Sequence, residues 1–336
     1  MNEVRLWRGD EIESRHEVHA ALAASDGTLL ASAGDAQQRA FLRSAAKPIQ
    51  ILPLIEDGLV ERFGLTTPEL AVMAASHNGE PIHVDAVRSI LAKAGLEPDH
   101  LQCGVHEPLH PPSAEALRAA GKKPGALHNN CSGKHAGMLA VCRARGWPLE
   151  TYRDPEHPLQ RRILNLVAGL AGMAESAIGI GVDGCGAPTF ALPVSAMAVA
   201  FARLAHADAR RGNDRARAVG VVFDAMAAHP EYVAGTGRLC TDLMSRIGAN
   251  VVVKTGAEGI FVAALRGEKR GMALKIADGD KRAQDPALVA LLVDLGALDP
   301  ETLKALERHA APPVVNRGGV VVGRIDTQLR WTWGAP

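Results

Sequence analysis

The sequence predicts a mixed α/β fold of the α+β kind, an antiparallel sheet assembled from both chain ends and packed against a largely helical insertion. Strand patterns occur near the two termini, while the middle is a series of helical stretches, several of them closed by glycine. The core must rest on Ala, Val, Leu and Ile, because aromatic residues make up only 4% of the chain.

Taken in order, His16 to Ala23 and Thr28 to Ala33 read as two strands. The Ser25-Asp26-Gly27 turn between them supplies the positive φ of a tight hairpin. After Arg43 the pattern turns helical through Ile55 and ends near Gly58. Thr67-Pro68-Glu69 then starts a second helix, with proline at a position that needs no N–H. Further helices are expected at Ile82 to Ala94, Ser113 to Ala120, Ser132 to Arg145, Pro158 to Leu170, Ser195 to Ala207 and Asp214 to Ala228. Strand character returns at Asn250 to Lys254, Gly259 to Leu265, Gly271 to Ile276 and Val320 to Ile325. Two helical stretches lie between Pro286 and His309. The Gly/Pro-rich stretch from Cys103 to Gly125 reads as a surface loop with a short helix, and a flap over a site is its alternative. The basic run Arg203 to Arg217 reads as a solvated helix face.

A chain of 336 residues can form one large domain or two interleaved lobes. The reading adopted is a single catalytic unit over residues 1–336, with residues 60–245 mostly helical. Lys+Arg and Asp+Glu balance at 37 each, so nothing points to nucleic acid. No apolar run is long enough to span a bilayer and Met1 to Arg15 lacks an apolar h-region, so a cytoplasmic protein is expected. The cysteines Cys103, Cys131, Cys142, Cys185 and Cys240 form an odd, scattered set unlike a disulfide framework.

Chemistry begins with Ser44-Ala45-Ala46-Lys47. Three residues along a helix share a face, so Lys47 can reach the Ser44 hydroxyl, a weak nucleophile until a neighbouring base takes its proton. A lysine serves as that base only when burial or nearby positive charge lowers its pKa. Alone, the string equally fits an N-cap serine beside a solvated lysine. Ser76-His77-Asn78 and Lys254-Thr255-Gly256 follow, and the order S-x-x-K, S-x-N, K-T-G is that of the penicillin-recognising serine hydrolases. Lys254 would place positive charge near Lys47, and Gly256 would let a strand approach substrate closely. A simple turn is the alternative for the third element.

A second cluster is His128-Asn129-Asn130-Cys131-Ser132-Gly133-Lys134-His135, joined by Val182-Asp183-Gly184-Cys185-Gly186. Two thiols and a nitrogen could hold Zn(II) with a position left for water. Ligand chemistry alone favours His135 as the nitrogen, since a lysine must lose its proton first. Buried cysteines and a capped helix are the alternative. Cys103 and His106, with His100 and His110 nearby, make a poor metal site and read as loop residues.

Together these stretches resemble the asparaginase II family, the Rhizobium-type or class 3 L-asparaginases. The likeness runs through Arg15-His16-Glu17-Val18-His19-Ala20-Ala21, Arg43-Ser44-Ala45-Ala46-Lys47-Pro48, Ala75-Ser76-His77, Asn130-Cys131-Ser132-Gly133-Lys134-His135, Asp183-Gly184-Cys185 and His229-Pro230-Glu231. It implies a fold similar to serine β-lactamases and glutaminases, a homodimer, and hydrolysis of L-asparagine to aspartate and ammonia. Ser44 would be the nucleophile, Lys47 its base, Ser76 a proton relay, and Lys254 would complete the charged network. Asp183, Asn130, His77, Thr255 and Gly256 would contact substrate. The resemblance implies Cys131, Lys134 and Cys185 as zinc ligands in preference to His135. A glutaminase or another serine amidase, a β-lactam or peptide hydrolase included, and a non-catalytic ligand-binding protein on the same fold are the rival readings. One departure from the family lies after Ser76-His77, where Asn78-Gly79-Glu80 follows, and it leaves the part of Asn78 open.

Overall fold

The computed structural model describes residues 2–206 and 214–334. These fall into two compact units, one drawn from Met1–Leu42, Leu192–His206 and Val253–Pro336, the other from Arg43–Ala191 and Ala207–Val252. The basic run Arg203 to Arg217 and the end of the helix expected at Ser195 to Ala207 lie partly outside the described residues.

In the first unit the sheet is built on Glu11–Ala24, a strand of 14 residues. Its first half pairs with Glu3–Arg8 (Val4↔His16, Arg8↔Glu11). Its second half pairs with Arg270–Ile276 (Ala20↔Leu274) and with Leu29–Ala33 (Ala20↔Ala33). Glu3–Arg8 also pairs with Val321–Gln328 (Leu6↔Ile325), so the two chain ends are neighbours, as expected. Arg270–Ile276 continues into Ile260–Leu265, with Val251–Thr255 beyond it. All of these registers are antiparallel where strands from the two ends meet. The predicted turn forms: Gly27 takes φ +103°, Ala24 N–H bonds Thr28 O at 2.9 Å, and Asp26 Oδ1 accepts Thr28 N–H at 2.8 Å.

Glu3–Arg8 was not expected as a strand, because charged residues mask its alternation. Val4 and Leu6 are buried, while Arg5 and Trp7 both bond Asp326 across the sheet, at 2.8 and 2.9 Å. Helix Val194–His206 packs on Arg270–Ile276 and Glu11–Ala24. Gly271 permits this, since a Cβ there would strike Ala198 O and Ala202 N. Although it falls within residues 60–245, this helix therefore belongs with the sheet. No helix among the described residues is long and apolar enough to cross a membrane.

The second unit is mainly helical. Helix Ser132–Arg145 has the predicted bounds, ending where Gly146 takes φ +66°, and is buried without a break from Ser132 to Cys142. It lies tightly against helix Thr67–Met73: a Cβ on Gly133 would strike Val72 O, and one on Gly137 would meet Met73 Sδ at 3.0 Å. Thr67–Met73 begins with a capping box in which Glu69 Oε2 accepts Thr66 N–H at 2.7 Å, and it delivers the chain to Ala75-Ser76. The single helix expected after Arg43 is instead a 3-10 turn, Arg43–Ala46, and two short helices, Lys47–Gln50 and Leu52–Glu56. Pro48 and Pro53 each start one of these segments, because proline cannot donate within a continuous helix.

The sequence pattern also missed a hairpin in this unit. Gly179–Val182 pairs antiparallel with the strand that starts at Pro188 (Gly179↔Ala191, Val182↔Pro188). Its turn carries Asp183 and Cys185, closed by Asp183 N–H to Ala187 O at 2.9 Å with Gly186 at φ +79°. Two of the candidate site residues thus owe their position to an element of only a few residues.

Candidate active site

Lys47 is the centre of the site in the second unit. It opens helix Lys47–Gln50, and its side chain is 1% exposed. Its Nζ donates to Ala75 O at 2.5 Å, Ser76 Oγ at 3.1 Å and Asn130 O at 3.1 Å. Three acceptors match the three donors of an ammonium. Burial pushes the Lys47 pKa down, and Lys134 adds to this, while Cys131 and Cys185 oppose it; the net direction is downward.

Ser44 sits one turn before Lys47 in the 3-10 segment, half-buried, with no side-chain hydrogen bond among the described residues. The expected Ser44–Lys47 hydrogen bond is therefore not formed here, because the ammonium is drawn to the three acceptors from Ala75, Ser76 and Asn130. Immediately before Ser44, Arg43 holds φ +49°, a strained conformation for a side chain of this size. Its contacts there include Arg43 N–H donating to Thr189 Oγ1 at 3.1 Å and its guanidinium donating to Asp183 Oδ1 at 2.9 Å. Sequence reasoning gave Arg43 no part; its one signal was adjacency to Ser44.

Asp183 Oδ1 also accepts Gly184 N–H at 2.7 Å. Burial works against the Asp183 charge, but Lys134, Arg43 and the Gly184 N–H outweigh it and hold the carboxyl below its ordinary range. Beside it, Lys134 Nζ donates to Cys185 Sγ at 3.1 Å, and Cys131 Sγ donates to Asn130 Oδ1 at 3.2 Å. The neighbouring Cys185, reinforced by Lys47 and Lys134, holds the Cys131 thiol far below its usual value despite burial, while Cys131 and burial push Cys185 up. Burial disfavours the Lys134 charge, but the two sulfurs reverse this and raise its pKa. His135 is turned elsewhere. Its Nδ1 lies 2.6 Å from the Tyr152 hydroxyl, and its buried Nε2 has no hydrogen-bond partner among the described residues.

Two sulfurs and one nitrogen therefore converge, a donor set suited to Zn(II), with Lys134 in place as the nitrogen and His135 bound to Tyr152. Among the described residues no three His, Cys, Asp or Glu side chains gather into a metal site, so a metal here depends on the lysine.

His77, expected at the substrate, is fully buried and leaves no ring nitrogen for one: Nδ1 accepts Gly79 N–H at 3.1 Å and Nε2 donates to Ser132 Oγ, 2.9 Å away. Its ring stacks on His83 at 4.9 Å, and His83 is held likewise, Nδ1 accepting Glu80 N–H and Nε2 donating to Glu231 O. Asn130 stays half-buried at the cluster, with N–H bonded to His106 Nε2 at 3.0 Å. Lys254, Thr255 and Gly256 lie in the first unit. There Lys254 is buried with Nζ on Thr255 O at 2.7 Å, and Gly256 N–H bonds Ile260 O at 2.7 Å.

The histidine stack implies a pH effect. Burial pushes both rings below the usual histidine value, His77 far below, and His83, Lys47, His106 and His128 push His77 the same way. Because the folded pKa values are depressed, the unfolded chain takes up more protons below about pH 6.5, and stability is lost as pH falls through that value towards the folded ones. The urea midpoint should therefore drop between about pH 7.5 and 5, and His83→Gln, which can accept and donate as neutral histidine does, should flatten the slope. A wild-type midpoint constant over that range would refute this.

The family model for L-asparaginase II matches residues 4–327. No curated protein matches the chain. Among solved structures, Mglu in its native form is 16% identical, with a TM-score of 0.43 over 85% of this chain and 66% of the other. Mglu in 4.3 M NaCl is 17% identical, with the same TM-score over 85% and 62%. This chain thus spans less than two thirds of the length of the Mglu chains. A β-lactamase from Mycobacterium bovis is 16% identical, with a TM-score of 0.41 over 83% of this chain and 94% of the other. Likenesses this distant carry nothing about substrate.

Proposed function

Because the chain belongs to the L-asparaginase II family, we propose that it is an amidohydrolase that converts L-asparagine to L-aspartate and ammonia through an acyl-enzyme on Ser44. The observation that supports this best is Lys47, buried one helical turn from Ser44 with Nζ 3.1 Å from Ser76 Oγ. With its pKa lowered, Lys47 can give up a proton and accept one from the serines. The Ser44 oxygen would then attack the side-chain amide carbon, the C–N bond would break, and ammonia would leave with a proton returned through Ser76 or Lys47. Water would hydrolyse the aspartyl ester by the reverse relay. Asp183, held by Arg43, would face the α-ammonium of the substrate, and the Ser44 backbone N–H would stabilise the oxyanion.

Ammonia release from L-asparagine and L-glutamine by the purified protein tests this directly. Faster release from asparagine is expected; preference for glutamine would make the enzyme a glutaminase, a distinction that rests on one methylene and about 1–3 kcal/mol. No release from either would remove the proposal. A homodimer and a cytoplasmic location belong to the same proposal, and a monomer by light scattering would remove the first.

Cys131, Lys134 and Cys185 would hold a zinc ion, which would supply positive charge beside Asp183 and the substrate. Since Lys134 is hydrogen-bonded as a donor with its pKa raised, it must lose a proton to bind metal, so binding should release protons and weaken as pH falls. Calorimetry in buffers of different ionisation enthalpy reads this, and Cys185→Ala should abolish the signal. Chelation should raise KM more than it lowers kcat; a loss of kcat equal to that of Ser44→Ala would contradict that role.

A further inference from the structure

The segment that follows Ser76 is held by a network that no catalytic role assigned above uses. Glu80, at the start of helix Pro81–Lys93, is 9% exposed and has no ion-pair partner among the described residues. Its carboxylate accepts Thr236 N–H at 2.8 Å, the Thr236 hydroxyl at 2.8 Å and Asn78 Nδ2–H at 3.3 Å. Asn78, itself buried, donates to Thr236 O at 3.0 Å and accepts from Arg238 at 3.0 Å. Two backbone anchors flank these bonds: Ser76 N–H to Val233 O at 3.0 Å and His83 Nε2 to Glu231 O at 2.9 Å. Gly235, at φ +105°, has no room for a Cβ, which would strike Glu80 Oε1 and lie 2.8 Å from Asn78 Nδ2. Residues 231–238 are thus bonded along residues 76–83 for their whole length.

A buried carboxylate without a cation is costly unless donors satisfy it, and here two of the three donors come from Thr236 of the opposing segment. Such a network, with every member hydrogen-bonded, rigidifies the two segments against one another. The group it fixes is Ser76, whose Oγ must meet Lys47.

We propose that Glu80 is a positioning residue for Ser76: through Thr236 and Asn78 its carboxylate locks residues 231–238 onto the Ser76 loop and holds the Ser76 hydroxyl on Lys47. This rests on the reading of Ser76 as the proton relay. It gives Asn78, whose part the sequence left open, and Glu80 a place in the geometry of that relay.

The test is a double-mutant cycle on ammonia release, with each rate referred to folded protein by circular dichroism. Glu80→Gln keeps the shape but replaces one acceptor oxygen with an NH2 group, which donates and cannot accept, so one of the two Thr236 bonds is lost. It should lower kcat about ten- to a hundredfold, as a small misplacement of a reacting group does, with KM changed less than about twofold. Thr236→Val should act in the same direction, and it carries the test if Glu80→Gln does not fold. In a Ser76→Ala background either substitution should add less than about a twofold loss, because its effect runs through Ser76. A lowered melting temperature with kcat unchanged, or losses that multiply fully with that of Ser76→Ala, would overturn the proposal. Wild-type kcat in Ser76→Ala alone would instead overturn the relay reading on which it rests.

Discussion

Ser44→Ala should lower ammonia release from L-asparagine by at least about a thousandfold while leaving the fold intact. The size follows from the role. A nucleophile that forms the acyl bond has no substitute in the site, and what remains without it comes from substrate binding and oxyanion contacts alone. Stability should change by less than about 1 kcal/mol, since the Ser44 hydroxyl is half-buried and unbonded among the described residues, and truncating it leaves no buried partner unsatisfied. The strained φ of Arg43 fits the same picture. A backbone held at +49° by Thr189 and Asp183 aims the next residue in a direction that ordinary helix entry would not. Mass spectrometry of enzyme trapped with substrate should locate the acyl group on Ser44. An adduct on a cysteine or a threonine would overturn the scheme.

The second large effect concerns Lys47, where two substitutions separate charge from base. Lys47→Met removes both and should cost about a hundred- to ten-thousandfold in kcat. Lys47→Arg keeps the charge, but a guanidinium does not give up its proton in proteins and presents a planar fork where three acceptors surround a single nitrogen. If Lys47 acts as a base, arginine should be as inactive as methionine. Activity in the arginine variant within about tenfold of wild type would mean that positive charge alone suffices. Because Met leaves Ala75 O, Asn130 O and Ser76 without their shared donor, some loss of stability should accompany it, about 1–3 kcal/mol for each buried acceptor that water cannot reach. A melting curve at the assay temperature therefore belongs beside the rate.

Much of the architecture was legible in local sequence signals because local physics determines them. The Ser132–Arg145 helix has its predicted bounds because Gly146 can take the left-handed conformation that ends it. The helix at Thr67 starts where Thr66 and Glu69 cap one another, and the first hairpin forms where Asp26 and Gly27 turn the chain. The clustering of Cys131, Lys134 and Cys185 was also anticipated, through the family resemblance.

By itself, then, the sequence determined most of the helices, the antiparallel sheet shared by the two chain ends and the family. Tertiary structure alone decided where the polar heads go. Spacing put Lys47 on the face of Ser44, but a desolvated ammonium moves to whatever gathers three acceptors, and those come from Ala75, Ser76 and Asn130, distant in the chain. His77 seemed available to substrate until Gly79 N–H and the Ser132 hydroxyl took both its nitrogens. Glu3–Arg8 and the Gly179–Val182 hairpin were hidden for a related reason. A strand of four to six residues rich in charge or glycine has little preference of its own, and it is stabilised by partners and packing that only the folded chain brings to it.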